Sequence, residues 1–260
     1  IGRYRLLQQI GEGGFGIVYR LHHRLLGMDF ALKVLAPAFD DGSNPGHETR
    51  FYKEAALLLS LNHENIVRFY DVGNWSGKPC IRMEFVQGRP LHKFLADHGA
   101  LTPAKAAVLA KKLGSAVEHA HGKNVLHRDI KPSNIMVGSN EFVKLLDFGV
   151  GAYLEDAMGS RITRTGERLA GGNYTAPELE VNPQLLDVRS DIYSIGAVWY
   201  TALTGLPPIG HDLVKPLMSV QNVSAAYADL VVNCLRPIQD RVSSAHELLS
   251  GLNRVLAAGK

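Results

Sequence analysis

The amino-acid sequence predicts an α+β fold in which strands precede helices, and three observations support it. Residues 17–21 (I-V-Y-R-L) and 30–35 (F-A-L-K-V-L) are rich in β-branched, aromatic and other apolar side chains, which is typical of strands. Apolar residues recur at helical spacing from 47 to 61. A second helix is predicted to begin at Thr102, an N-cap residue followed by Pro103. Its apolar stripe consists of Leu109, Leu113, Ala116 and Ala120.

A glycine-rich run precedes the first of these strands. Residues 11–18 read G-E-G-G-F-G-I-V and fit the pattern G-x-G-x-x-G-x-V, in which glycines bring backbone N–H groups close to phosphate oxygens. Dinucleotide-binding folds use the same glycine spacing to open a helix, but here the chain continues into a predicted strand. The run therefore predicts a phosphate cradle formed by Gly11, Gly13, Gly14, Phe15, Gly16 and Val18. Phe15 either caps the phosphates or is simply an exposed aromatic side chain.

Two polar motifs follow the second helix in close succession. Residues 127–134 read H-R-D-I-K-P-S-N, and residues 147–149 read D-F-G. Both supply hard oxygen ligands of the kind that a polyphosphate and its metal ions require. One such tripeptide occurs by chance in many chains, and the acid and amide of the first motif would then be turn residues. Two motifs in this order, followed by A-P-E at 176–178, are not a chance combination.

In these motifs the chain resembles the eukaryotic-like protein Ser/Thr kinases, and its overall pattern resembles those of bacteria. The resemblance covers nearly the whole chain. It implies one kinase domain with a bilobal fold: a small antiparallel β-sheet lobe with one helix at 1–86, ending in the hinge, and a larger, mainly helical lobe at 87–260. It further implies transfer of the γ-phosphate of ATP to Ser or Thr hydroxyls of protein substrates, with ATP in the cleft and Mg²⁺, or Mn²⁺, as the metal.

The resemblance assigns the catalytic roles. Asp129 matches the base that orients the acceptor hydroxyl and takes its proton late in the reaction. Lys131 resembles the lysine that Ser/Thr kinases place against the γ-phosphate, a position where tyrosine kinases usually differ. Asn134 and Asp147 match the metal ligands, and their oxygen atoms suit Mg²⁺.

Lys33 is the single charge in an apolar strand, and a lysine is costly to bury unless it is paired. The resemblance implies that Lys33 contacts the α- and β-phosphates and pairs with a helix glutamate. Glu54 matches the family pattern R-F-x-x-E-A at residues 50–55 and is the favoured partner. Glu48 is the competing choice, which otherwise is a helix N-terminal carboxylate favoured by the helix dipole.

The same alignment defines the adenine slot. Met83 becomes the gatekeeper, and the backbone from Glu84 to Val86 would bond to adenine. An apolar slot with a few backbone polar groups suits a flat purine. Its walls would be Val18, Ala31 and Met136. The simpler alternative is that these three side chains only pack in the core.

The polar residues 160–168 resemble an activation segment. Thr163 and Thr165 lie where bacterial Ser/Thr kinases carry regulatory phosphates, and arginine pairs well with phosphate. Arg128 is the expected partner because it precedes Asp129. The hypothesis is autophosphorylation, with a second copy of the chain as substrate. The alternative is an exposed loop with two unmodified threonines.

Further residues are expected to support the helical lobe and the metal turn. Phe148 and Gly149 complete the D-F-G motif. Asp191 is predicted to lie at the start of a buried helix. It is expected to accept hydrogen bonds from backbone N–H groups of residues 127–134, the catalytic loop. Arg241 is expected to pair with Glu178 of A-P-E, and the helix that follows Pro216 is expected to be short.

One departure from the family pattern concerns Gly172, which stands where relatives have a threonine whose hydroxyl bridges the catalytic Asp and Lys. Its absence predicts a looser peptide-binding platform. It is also the main argument for an alternative function, a pseudokinase that acts as a nucleotide-gated binding module. The complete set of Lys33, Glu54, Asp129, Asn134 and Asp147 favours activity instead.

Composition also bears on nucleic-acid binding, zinc binding and membrane segments. The net charge of +3 gives no support for nucleic-acid binding, and Cys80 and Cys234 lack the spacing of a zinc site, so both are predicted to be buried thiols. No apolar run reaches about 18 residues, so no membrane segment is predicted within the chain. Because the chain begins at Ile1 without a methionine, we expect an excised domain. We expect it to be cytoplasmic, either by itself or as the cytosolic domain of a longer, membrane-anchored protein.

Overall fold

The computed structural model describes residues 3–13, 16–35, 55–148, 172–182, 185 and 187–258. The described residues fall into two units, of which the first comprises residues up to 87 and the second begins at Gly88.

The first unit contains a five-stranded antiparallel sheet. Its strands are β1 (Tyr4–Gly13), β2 (Gly16–His23), β3 (Met28–Leu35), β4 (Phe69–Trp75) and β5 (Lys78–Glu84). They follow the order β1-β2-β3-β5-β4, so β3 is the central strand. The predicted strands 17–21 and 30–35 are confirmed, since they lie within β2 and β3.

One face of this sheet carries a small apolar core. The buried side chains are Leu21, Phe30, Leu32, Val34 and Cys80, and Tyr4, Tyr19 and Trp75 pack against them. The alternation of strand side chains places Leu32 and Val34 on this face, and Ala31 and Lys33 on the opposite face. The sheet therefore separates a structural face from the face that carries the predicted nucleotide-binding residues.

The hairpin between β1 and β2 depends on Gly16. Its φ is +132°, and a Cβ built at this position would lie 2.1 Å from the backbone oxygen of Val34. A side chain is therefore excluded by both backbone conformation and space. This close approach accounts for the last glycine of the glycine-rich run.

Helix is present at residues 55–60, within the helix predicted for 47–61. The part of that prediction that carries Glu48 and Glu54 lies outside the described residues.

The second unit is mainly helical. Its helices are α1 (Leu91–His98), α2 (Pro103–His121), α3 (Pro177–Val181), α4 (Val188–Thr204), α5 (Val214–Met218), α6 (Ala225–Cys234) and α7 (Ala245–Ala258). α2 begins as predicted, because the Thr102 hydroxyl accepts the N–H of Lys105 at 3.4 Å. Its predicted apolar stripe is buried along the whole helix. The short helix expected after Pro216 is present as α5, with five residues. It includes Pro216, however, because proline is tolerated in the first turn of a helix, so the predicted loop ends earlier than expected.

Helix α4 is the centre of the second unit. It is apolar on nearly all sides and packs against α2, α5 and α6, as expected for a helix surrounded by protein. The Asp187 side chain caps it by accepting the N–H of Arg189 at 2.8 Å. Gly205 ends it with a left-handed φ of 76°. Asp191 thereby lies in the first turn of a buried helix, as predicted.

A small antiparallel sheet joins the helices to the predicted catalytic residues. It consists of β6 (Arg89–Pro90), β7 (Ile135–Val137) and β8 (Val143–Leu145), with β7 in the middle. β7 follows residues 127–134 directly, and β8 precedes residues 147–149, so the antiparallel pair brings the two polar motifs to one end.

Two predictions from composition can also be checked. Cys80 and Cys234 are buried free thiols, as predicted. None of the helices in the described ranges has both the length and the hydropathy that a membrane span requires.

Candidate active site

Asp129, Lys131 and Asn134 lie together in the loop before β7. The Lys131 ammonium is 2.9 Å from Asp129 Oδ2. Asn134 Nδ2 donates to Asp129 Oδ2 at 3.0 Å and to the Asp129 backbone oxygen at 2.9 Å. The Asp129 side chain is therefore held from two sides while remaining partly exposed. An oriented carboxylate with an adjacent cation can accept a proton from a hydroxyl group and stabilise an anion beside it.

Asp147 is brought to this loop by backbone hydrogen bonds. The N–H of Leu146 donates to the backbone oxygen of Asn134 at 2.8 Å, which extends the β7–β8 pairing by one residue. His127 Nε2 donates to the Leu146 oxygen at 2.7 Å, since a carbonyl can only accept. The predicted metal ligands Asn134 and Asp147 thus lie at the same end of the β7–β8 pair.

His127 also supports the loop from within. Because its Nε2 carries a proton, its Nδ1 is the acceptor for the Asp129 N–H at 3.2 Å. Its ring lies 4.6 Å from the fully buried ring of Phe148. The histidine therefore ties the catalytic loop to the segment of the D-F-G motif through Nε2 and the ring contact, and its Nδ1 supports the loop itself.

Asp191 of α4 anchors the same loop. Its carboxylate accepts the backbone N–H groups of His127 at 2.9 Å and Arg128 at 2.8 Å, as predicted. Arg128 has a φ of +64° and Asp147 a φ of +58°, a backbone region that non-glycine residues seldom adopt. Such strain persists where surrounding bonds determine the conformation, and here Asp191 supplies two of them.

His121 also belongs to the site, although none of the sequence motifs includes it. It bonds to Asp191 through its Nε2 at 2.9 Å. Burial alone would raise the pKa of Asp191, but the hydrogen bonds from the His121 ring and the His127 backbone N–H lower the pKa below its ordinary value. An ionised Asp191 can only accept, so His121 Nε2 is the donor. The sequence signal was its position at the end of α2, six residues before the catalytic loop.

The predicted nucleotide-binding residues of the first unit share one face of the sheet. Lys33 is only 5% exposed, and its Cα partners are Val18 on β2 and Ile81 on β5. Ala31 pairs with Met83, which is also buried. The alternation of side chains therefore places Val18, Ala31 and Met83 on the same side as Lys33.

The last residue of β5 is fixed to the residue that precedes β4. The N–H of Glu84 donates to the backbone oxygen of Arg68 at 2.8 Å, and the Glu84 carboxylate accepts the Arg68 N–H at 3.1 Å. These two bonds hold the start of the predicted hinge, which continues to Val86. Met136 belongs to the second unit, where it lies in β7.

Several predicted site residues lie outside the described parts of the chain, and their roles stay predictions. They are Gly14, Phe15, Glu54, Gly149, Thr163 and Thr165. Gly11, Gly13 and Gly16 are described and lie at the facing ends of β1 and β2.

Gly172 has a φ of +52°, with open space where a Cβ would project. A β-branched threonine would be strained in this backbone conformation. Gly172 therefore departs from the family pattern at a position whose backbone conformation favours glycine.

Arg241 and Glu178 form the predicted ion pair. Arg241 Nη1 and Nη2 donate to the two Glu178 oxygens at 2.5 and 2.9 Å, and the arginine side chain is completely buried. Burial alone would raise the pKa of Glu178, but the hydrogen bonds from Arg241 outweigh burial and lower it. Ser190 adds a hydrogen bond to the same carboxylate at 3.1 Å. The pair ties the A-P-E segment to the segment between α6 and α7.

The family model described as "Protein kinase domain" matches residues 4–252. The chain belongs to the protein kinase domain family. This confirms the family that the motifs indicated, and it implies ATP as a substrate together with a divalent metal ion.

Relatives and solved structures agree with this membership. The chain is 34% identical over 271 residues to serine/threonine-protein kinase pkn2 of Myxococcus xanthus, which covers 96% of this chain and 32% of the relative. It is 36% identical over 207 residues to serine/threonine-protein kinase PrkC of Bacillus subtilis, covering 80% of this chain and 31% of PrkC. The chain thus spans about a third of the length of these relatives.

The kinase fold is confirmed by comparison with the crystal structure of the Mycobacterium tuberculosis PknI kinase domain. The TM-score is 0.72 at 25% identity, covering 97% of this chain and 96% of PknI. The antiparallel sheet of the first unit and the helices of the second are the elements that the kinase resemblance implied.

Separating Glu178 from Arg241 is expected to destabilise this kinase domain strongly. Glu178→Ala or Arg241→Ala should each lower the free energy of unfolding by about 3–5 kcal/mol, because each leaves a buried charge without its partner. The double variant should lose less than the sum of the two. Urea denaturation measures all three, and strictly additive losses would contradict the pairing.

The same pair predicts a pH dependence. The pKa of Glu178 is lowered in the folded state, so its contribution to stability is present above the ordinary glutamate pKa of about 4.3 and is lost as pH falls through the lowered value. As pH falls through the lowered pKa of Glu178, the free energy of unfolding should therefore fall more for the wild type than for Glu178→Gln.

Proposed function

We propose that this chain is the catalytic domain of a Ser/Thr protein kinase, which transfers the γ-phosphate of ATP to hydroxyl groups of protein substrates. One observation carries the proposal: Asp129 is held by Asn134 and Lys131 in a loop that Asp191 anchors from the protein core. Phosphoryl transfer is mainly a matter of positioning and charge stabilisation, and this arrangement supplies both.

In the proposed reaction, Asp129 orients the Ser or Thr hydroxyl of the substrate. The hydroxyl oxygen forms a bond to the γ-phosphorus, while the bond from that phosphorus to the bridging oxygen of ADP breaks. The hydroxyl proton passes to the Asp129 carboxylate late in the step. Lys131, 2.9 Å from the same carboxylate, is placed to balance charge on the transferring phosphoryl group.

Asn134 and Asp147 fit a divalent cation. Because the Nδ2 group of Asn134 donates to Asp129, its amide oxygen is the atom available to a metal. The carboxylate of Asp147 is a second hard oxygen donor, which favours Mg²⁺, with Mn²⁺ as the alternative. Asn134 and Asp147 would hold such an ion, and the chemistry it would supply is neutralisation of charge on the phosphates. The Asn134–Asp129 bond meanwhile links the orientation of this ligand to that of the base.

The first unit supplies the nucleotide-binding residues in this proposal. Lys33 would contact the α- and β-phosphates, with Glu54 as its partner, and backbone groups from Glu84 to Val86 would bond to adenine. The walls of the adenine slot would be Val18, Ala31 and Met136, with Met83 as the gatekeeper. The glycine-rich run would cover the phosphates. Residues 1–86 and 87–260 then act as the two lobes of one kinase domain in the cytosol.

Exchange of the catalytic carboxylate tests the proposal. Asp129→Asn should reduce incorporation of labelled γ-phosphate, with Mg²⁺, by about 10²–10⁴-fold, since the amide cannot accept the proton. Binding of ATP should change less than about twofold, because the nucleotide contacts are elsewhere. Asp97→Asn is the matched control, because Asp97 is an exposed carboxylate that pairs with Arg89 on the surface.

Two outcomes would contradict the proposal. Equal labelling by the wild type and Asp129→Asn would show that Asp129 is not the base. ATP binding without labelling by the wild type, on itself or on a generic protein substrate, would favour the pseudokinase alternative.

We further propose that Thr163 or Thr165 is autophosphorylated and that the phosphate pairs with Arg128. Thr163→Ala/Thr165→Ala should remove most label from the chain itself and lower activity on a generic substrate by about tenfold, the value of one good charge-assisted contact. Ser160→Ala in the same segment is the control. Wild type should also label a size-tagged Asp129→Asn chain, which reports transfer between copies. Full activity of the double variant would rule out this regulation.

A further inference from the structure

The predicted hinge is held at a second place. In the strand order, this contact comes from β2, which lies on the other side of β5 from β4 and Arg68. The Arg20 guanidinium lies over the ring of Phe85, 4.4 Å from its centroid, and pairs with Asp29 of β3. We propose that Arg20 is a positioning residue that holds the hinge backbone in the conformation that binds adenine. The inference rests on the proposed ATP-binding function and concerns the affinity of that site.

Arg20 and Asp29 extend the face of the sheet that carries the nucleotide-binding residues. Arg20 is the Cα partner of Ala31, and Val18 is the Cα partner of Lys33. Since alternate residues share a face, Val18 and Arg20 point the same way, as do Asp29, Ala31 and Lys33. Arg20 therefore lies one step along the strands from the proposed adenine slot.

The orientation of the guanidinium is fixed by its partners. Arg20 Nε donates to Asp29 Oδ2 at 2.7 Å, and its Nη2 bonds to the same oxygen. The second oxygen of Asp29 bonds to His22 Nδ1 at 2.7 Å. The hydrogen bonds from His22 and Arg20 lower the pKa of Asp29, so the carboxylate stays charged at neutral pH. A guanidinium held in this way presents one flat side to the hinge.

Phe85 connects this ion pair to the adenine-binding backbone. It lies between Glu84 and Val86, whose backbone groups are the ones proposed to bond to adenine. Glu84 is tied to Arg68 of the segment before β4, and the Phe85 ring is tied to β2 through Arg20. Fixing a binding segment before the ligand arrives removes an entropic cost of binding. Loss of the Arg20 contact should therefore weaken ATP binding without altering the phosphoryl-transfer step.

Arg82 provides a matched control within the same unit. It also pairs with an aspartate, Asp71, and lies 5.1 Å from the centroid of an aromatic ring, that of Phe30. It alternates with Met83 on β5, so it belongs to the opposite face of the sheet. An effect that arises only from destabilising the sheet should appear equally in Arg20 and Arg82 variants.

The test compares KM for ATP, kcat and the Kd of a non-hydrolysable ATP analogue across five variants. Arg20→Met and Phe85→Leu should each raise KM and Kd by about 3- to 10-fold, in line with a partly buried cation–π contact. Their kcat should stay within about twofold of wild type. The double variant should have KM and Kd values no higher than those of the more strongly affected single variant, because both changes remove the same interaction. Arg20→Lys, which keeps the charge but loses the planar group, should be intermediate.

Arg82→Met should lower the melting temperature and leave KM for ATP unchanged. The inference is overturned if Arg20→Met keeps the wild-type KM, if Arg82→Met raises KM equally, or if Arg20→Met and Phe85→Leu are additive. Should Arg20→Met not fold, Arg20→Lys and Phe85→Leu decide the question. A wild type that binds no ATP overturns the proposed function as well, whereas an active wild type with unaffected variants overturns this inference alone.

Discussion

The described second unit depends on one buried carboxylate. Asp191 is 1% exposed, and an unpaired charge at such a depth would be strongly destabilising. Its partners are two backbone N–H groups of the catalytic loop and the imidazole of His121. The dependence is mutual: the core helix α4 needs these donors, and Arg128 needs the acceptor to keep its left-handed backbone.

The arrangement of the active-site residues follows from the position of Asp191. Once the backbone of His127 and Arg128 is fixed, His127 can reach both the Asp129 N–H and the Leu146 oxygen. These bonds set the catalytic loop against the segment that carries Asp147. Chemistry that relies on positioned charge therefore rests on hydrogen bonds between the main chain and buried side chains.

Much of this arrangement could be predicted from the sequence, because the motifs combine residue type with fixed spacing. The strand around Lys33, the capped start of α2, the position of Asp191 and the Glu178–Arg241 pair were all anticipated. The bond from His121 was not, because a histidine at a helix end has several plausible roles until α4 packs beside it. The contact among Arg20, Asp29 and Phe85 also escaped prediction, because it depends on strand register and long-range folding and corresponds to no motif.

The measurement that tests the account most directly is the phosphotransfer rate of Asp191→Asn, compared with its affinity for a non-hydrolysable ATP analogue. The amide retains one acceptor oxygen but turns a donor toward the loop N–H groups, so the loop should shift. We expect a folded variant whose rate falls by about 10²-fold, as a displacement of about 1 Å can produce, with analogue affinity within about twofold of wild type. An unchanged rate would contradict the claim that this buried carboxylate sets the geometry of the catalytic loop.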